Sequence, residues 1–195
     1  MSPDPTSGKM LIFTAPSGAG KTTIVRHLLK HFGELAFSVS ATNRPMREGE
    51  EDGRSYYFLS TEEFEAKIAA GDFVEYEEVY PGRFYGTLRS EIDRIWANDQ
   101  AIVFDIEVKG ATNLKKFYPM ESTAVFVAPP TPEVLFQRLR DRKTESEAEI
   151  QTRIARAAEE LTYVDSFDRV LLNDDLDTAL AEAESIVVDV LGILD

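Results

Sequence analysis

The chain has no cysteine, two histidines and one tryptophan among 195 residues. Without thiols there can be no disulfide and no thiolate metal site, and imidazole can come only from His27 and His31. These two stand at an i, i+4 spacing in the helix-like IVRHLLKHF, which could in principle hold a metal. With no third ligand near them, they read as ordinary surface or boundary histidines. Long apolar runs are also missing: none approaches the roughly 20 residues of a membrane span. Residues 1–9, MSPDPTSGK, lack the apolar core of a secretory signal. A cytoplasmic protein with no membrane partner is expected. Positive charge is scarce, with 21 Lys and Arg against 35 Asp and Glu and a formal net charge of −14. Such a field repels nucleic acid and anionic lipid, so no nucleic-acid partner is expected, and any anion site must be built from concentrated local charge.

No Gly/Ser, Gln or Pro tract and no internal repeat interrupts the chain, and 43% of its residues are hydrophobic, enough for one compact α/β domain. Short β-type runs occur at Met10–Ala15, Ala101–Ile106, Thr123–Ala128 and Arg169–Asn173. Between them lie segments of helical periodicity, including Thr22–Phe32, Pro132–Arg140, Glu147–Tyr163 and Leu176–Leu191. This alternation predicts a parallel sheet covered by helices, a three-layer P-loop NTPase-type fold. Residues 38–95 break the rhythm and read as an inserted subdomain between core segments 10–37 and 96–195. The arginine-rich stretch 138–153 reads as a mobile excursion between two helices.

Between the first strand and the first helix stands Ala15-Pro16-Ser17-Gly18-Ala19-Gly20-Lys21-Thr22, followed by Thr23. Glycines there let successive backbone N–H groups turn inward around a polyphosphate, and the helix N-terminus adds its dipole. Lys21 would reach the β and γ phosphates of ATP, and the Thr22 hydroxyl would bind Mg²⁺. The strict pattern has glycine where Ala15 stands. Asp105, ending the apolar run AIVFD, is the natural second acidic group for Mg²⁺, its alternative being a solvated strand-end aspartate.

From APSGAGKTT to LLNDDLD, nearly its whole length, the sequence resembles the guanylate kinase family. The resemblance implies an ATP-dependent kinase acting on GMP, and on dGMP, with Mg²⁺. It makes 38–95 the GMP-binding subdomain and 138–153 a short lid. Within FSVSATNRPMREGE, Arg44 and Arg47 would bind the GMP phosphate, with Ser40 near the base. An Arg pair spaced by three can fork onto a phosphate, with charged hydrogen bonds worth about 1.5–3 kcal/mol each. Tyr56 and Tyr85 match phenols that bond the acceptor phosphate, and Thr87 a hydroxyl residue at the base. Glu75 matches the guanine-reading carboxylate, which accepts from N1–H and the 2-amino group together, a donor pair that adenine lacks. By itself Glu75 is one of many surface glutamates.

Glu107, also assigned to GMP, departs from the family's usual aspartate, and Lys109 stands where glutamine is common. Arg138, Arg142 and Arg153 fit the lid that brings positive charge to the transferring phosphoryl group, although spacing alone would make them solvated helix charges. Lys143 replaces a usual glycine, and Asn173 matches a position near the adenine of ATP. The expected partners are therefore the small molecules ATP and GMP, with oligomeric state left open. One rival is a P-loop kinase with a different acceptor. Another is a non-catalytic guanylate-kinase-like interaction module, which typically loses the phosphate-loop lysine and lid arginines that Lys21, Arg138, Arg142 and Arg153 supply here.

Overall fold

The computed structural model describes residues 8–141 and 147–193. Strand β1 (Met10–Thr14) leads through the glycine-rich loop to α1 (Lys21–His31) and the short β2 (Leu35–Phe37). Next come β3 (Ala41–Thr42), β4 (Tyr57–Phe58), α2 (Thr61–Ala70), the hairpin β5 (Phe73–Tyr80) and β6 (Arg83–Leu88), and α3 (Arg89–Trp96). The chain continues through β7 (Ala101–Asp105), α4 (Val108–Phe117), β8 (Ser122–Ala128), α5 (Pro132–Arg140), α6 (Glu147–Leu161), β9 (Arg169–Leu172) and α7 (Leu176–Leu191).

Five strands form one parallel sheet in the order β2-β7-β1-β8-β9. Strands β1, β7 and β8 are apolar on both faces because helices cover both. Leu11, Phe13, Val103 and Val125 pack with Ile24, Leu28, Leu135, Ala183 and Val187 on one side. Met10, Ile12, Ile102 and Phe104 pack with Ile92, Ile95 and Leu114 on the other. The result is the three-layer arrangement expected from the alternating pattern. From β1 the chain crosses to β2 on one side, and from β7 it crosses over β1 to β8 on the other, so the carboxyl end of β1 is the point where an open α/β sheet leaves a crevice for ligands. Patterning did not flag β2, a three-residue edge strand with two partly exposed residues and no readable period.

A second, four-stranded sheet has the order β4-β3-β6-β5 and its own small core of Ala41, Phe64, Phe73 and Leu88. Helix α2 starts on a capping box in which Ser60 accepts from the Glu63 amide and Glu63 accepts from the Ser60 amide. It ends on Gly71 at φ 73°, the left-handed conformation that closes a helix. Within 138–153, residues 138–140 close α5 and 147–153 open α6, while 142–146 lie outside the described residues. No helix among the described residues is long and apolar enough to cross a membrane.

Candidate active site

The glycine-rich loop lies in the crevice at the end of β1. Gly20 precedes α1 at φ 93°, and a Cβ there would collide with the amide nitrogen of Asn173, so only glycine serves. No side chain caps α1 and no acidic residue occupies its first turn, which leaves the helix N-terminus open to an anion. Ala15, where the strict pattern has glycine, is buried in the core cluster beneath the loop, so its Cβ is accommodated. Parallel pairing of Phe13 with Asp105 brings the end of β7 against the loop. There Lys21 is ion-paired with Asp105 and donates to the Ile106 carbonyl at 3.0 Å, while the Thr22 hydroxyl donates to Asp105 at 2.8 Å. Asp105 is 16% exposed, so it is turned into the site and not out to bulk solvent.

Asn173 sits against this loop. Its amide donates to the Ala19 carbonyl at 2.7 Å, and its backbone N–H donates to Ala128 at 2.8 Å, tying the end of β9 to the phosphate loop. Arg138 on α5 reaches the Asn173 carbonyl at 3.4 Å. Arg153 lies on α6 beside Thr152 and Tyr80, lining a surface cavity of about 360 Å³. Arg142 and Lys143 lie outside the described residues.

The residues expected at the acceptor gather on and beside the second sheet. Arg44 is 5% exposed and forks onto Glu50, with bonds of 2.7 and 2.6 Å, and its guanidinium lies 5.0 Å from the Tyr56 ring centre. The Arg44 hydrogen bonds hold the Glu50 carboxyl down to about 2. Tyr56 and Tyr85 meet edge to face at 5.9 Å, and burial pushes the Tyr56 phenol up. Arg47 is exposed and Ser40 half-buried. Sequence reasoning missed Glu50, whose position six residues after Arg44 carries no periodic signal.

Glu75, on β5, is 7% exposed and accepts from the Thr87 hydroxyl at 2.6 Å. Burial pushes its carboxyl up to about 7, the Thr87 bond opposing only in part. Among the described residues no cation pairs with it. Gly110 on α4 makes room: a Cβ there would lie 2.9 Å from the second Glu75 oxygen. A half-satisfied carboxyl in a space kept open by glycine is poised for a ligand carrying paired donors.

Glu107, ahead of α4, turns to Arg156 on α6 at 2.9 Å. Arg156 also binds Glu160 at 2.8 Å and the Val79 carbonyl at 3.2 Å, and lies 5.4 Å from the Tyr80 ring. One guanidinium thus joins α6, the approach to α4 and the end of β5, around a cavity of about 360 Å³ lined also by Lys109 and Tyr163. Glu160 is 6% exposed, with one oxygen that has no hydrogen-bond partner among the described residues; burial, then the Glu107 charge, push its carboxyl up. Only the i, i+4 spacing of Arg156 to Glu160 is local; its links to Glu107 and Val79 span 49 and 77 residues and leave no sequence signal. Arg156→Met is expected to leave Glu160 with no cation, costing about 2 kcal/mol, or about 4–8 °C in Tm. Adding Glu160→Gln should restore part of the loss in a thermal melt; an unchanged Tm for the single variant would show the network to be energetically idle.

The profile of the guanylate kinase family matches residues 7–190. The guanylate kinase of Bacteroides fragilis is 46% identical over 185 residues, covering 95% of this chain and 91% of that protein. That of Salinibacter ruber is 50% identical over 174 residues, covering 89% and 92%. Among solved structures, guanylate kinase from Anaplasma phagocytophilum superposes with a TM-score of 0.76 at 26% identity, over 94% of this chain and 86% of that one. A family profile matched over nearly the whole described chain, and relatives near half identical along it, show that the chain belongs to the guanylate kinase family.

Proposed function

We propose that the chain transfers the γ-phosphoryl group of Mg·ATP to GMP, and to dGMP, giving ADP and GDP. The observation that carries this reading is the buried Glu75, held by Thr87 and left without a cation among the described residues, in a chain that also has a complete phosphate loop. An ionised carboxylate there accepts two donors from guanine, whereas adenine would leave it unsatisfied. Ser40 and Thr87 would lie at the base. Arg44, Arg47, Tyr56 and Tyr85 would hold the acceptor phosphate. Glu107, assigned to GMP by resemblance, is held by Arg156 at 2.9 Å and would have to leave it to meet the nucleotide.

The main chain of 15–23 would bind the ATP phosphates, and Asn173, bonded to Ala19, would keep that loop in shape near the adenine end. Thr22 and Asp105 offer a hydroxyl and a carboxylate 2.8 Å apart, the all-oxygen chemistry that Mg²⁺ takes, with Asp105 acting through water. A magnesium ion held by these two residues together with ATP would supply neutralisation of phosphate charge. Lys21 would leave Asp105 to meet the transferring phosphate. The acceptor phosphate oxygen is already ionised at neutral pH, so transfer needs alignment and charge neutralisation without a dedicated general base. Residues 38–95 form the moving GMP-binding subdomain and 138–153 the lid, with Arg138, Arg142 and Arg153 closing on the phosphoryl group. Closure keeps water from the γ-phosphorus. The retained Lys21–Asp105–Thr22 cluster argues against a purely protein-binding module.

A coupled ADP-release assay offering GMP, AMP, UMP and CMP in parallel is the direct test. Turnover is expected with GMP, and AMP should be about 10³-fold or more poorer in kcat/KM. Equal use of AMP would remove Glu75 as the base reader, and no turnover with any acceptor would overturn the kinase assignment.

A further inference from the structure

Away from the nucleotide site, α1 packs on α7 through Ile24, Val25 and Leu28 against Ala179, Ala183 and Val187. His27 and His31 line one flank of that contact, with ring centres 4.0 Å apart as the i, i+4 spacing dictates. In the sequence they lacked a third ligand. The fold supplies one from 157 residues away: Glu184, next to Ala183 on α7, places an oxygen 2.5 Å from His27 Nε2.

We infer that His27, His31 and Glu184 form a binding site for a divalent transition metal, with Zn²⁺ as the best-matched ion. One donor atom from each residue lies within 4.8 Å of the other two. Tetrahedral bonds of about 2 Å require donors about 3.3 Å apart. The His27–Glu184 pair must therefore open slightly and His31 swing inward, and because His31 is exposed the swing meets little packing. The protonation pattern is suitable as well. His31 Nδ1 lies 2.8 Å from the His27 carbonyl, which can only accept, so the proton is on Nδ1 and Nε2 keeps its lone pair. A ligating histidine commonly has this arrangement, its second nitrogen donating to a backbone carbonyl that fixes the ring.

Two imidazoles and one carboxylate, with a fourth position open to water, suit Zn²⁺ and exclude Mg²⁺ and Ca²⁺, which take oxygen donors. Cu²⁺, Ni²⁺ and Co²⁺ share the preference, since geometry and availability more than raw affinity separate them. His27 lies six residues past Lys21, about 9 Å along α1, so this site is separate from Thr22 and Asp105. A metal bound here clips α1 to α7. Because the three donors converge only in the folded chain, binding stabilises the fold.

The test is calorimetric titration of chelator-treated protein with ZnCl₂ in excess Mg²⁺, which occupies the oxygen-donor sites of this acidic chain. One equivalent is expected to bind, and metal at a hundredfold above its Kd should raise Tm by about 5–10 °C. Co²⁺ should give the visible absorption of a low-coordinate site with nitrogen donors. His31→Gln leaves the His27–Glu184 contact in place, so it should keep the metal-free Tm while weakening Zn²⁺ binding about 100-fold; Glu184→Gln should weaken it similarly. Absence of a one-equivalent phase, or unchanged Zn²⁺ affinity in His31→Gln, would overturn the proposal and leave the contact as an interhelical hydrogen bond only.

Discussion

Lys21→Ala is expected to lower kcat by about 10³-fold while leaving the fold and GMP affinity nearly unchanged. The side chain is paired with Asp105 and bonded to the Ile106 carbonyl, so without nucleotide it is stored against the end of β7, about one side-chain swing from the loop it follows. Transfer develops negative charge on the γ-phosphoryl oxygens, and a positive charge placed there beforehand needs no reorganisation as that charge moves. Removing it should raise the barrier by about 4 kcal/mol, since each 1.36 kcal/mol is tenfold in rate. Asp105 keeps the Thr22 hydroxyl bond and borders the open ligand crevice, so Tm should move little. Single-turnover kinetics with circular dichroism on the same sample would check both halves. Near-normal turnover would sink the proposed mechanism, whereas a collapsed spectrum would show a structural role for the ion pair.

The second large effect lies at Glu75. Glu75→Gln is expected to cut kcat/KM for GMP by about 10²-fold, because glutamine offers one acceptor and turns a donor toward a guanine donor, forfeiting about 3 kcal/mol. A pH dependence should accompany it. Burial holds the Glu75 carboxyl protonated up to about 7 in the free protein, whereas guanine requires the carboxylate. GMP affinity should therefore fall about tenfold for each pH unit below 7, as binding must release a proton. The GMP phosphate itself titrates near 6, so the decisive comparison is with Glu75→Gln, which should lose the step near 7 and keep the phosphate step. Stability runs the opposite way. A raised folded-state value means that Glu75's contribution is complete below 4.5 and is lost as pH rises through about 7. A GMP pH profile identical in the two proteins would show that another group reads the base.

These two residues also differ in how far the sequence revealed them. Lys21 is part of a continuous string whose strand, glycines and helix are neighbours along the chain, and short-range sterics with the helix dipole are enough to define a phosphate loop. Asp105 was legible for the same reason: an acidic residue closing four apolar ones marks the carboxyl end of a buried strand. Glu75 looked like any other glutamate in DFVEYEEV until resemblance singled it out. Its burial arises from the packing of β5 against α4 and from the missing side chain at Gly110, neither of which leaves a local pattern.

The sequence alone thus determined the alternating parallel fold and the anion loop, both products of short-range periodicity and turn chemistry. Tertiary structure alone decided which distant groups meet. Asn173 reaches the phosphate loop across 154 residues, Arg156 reaches Glu107 across 49 and Val79 across 77, and Glu184 reaches His27 across 157. Such contacts depend on the order in which strands enter the sheet and on which helix faces then touch. These are set by burial of the whole apolar surface and not by any one segment's residues.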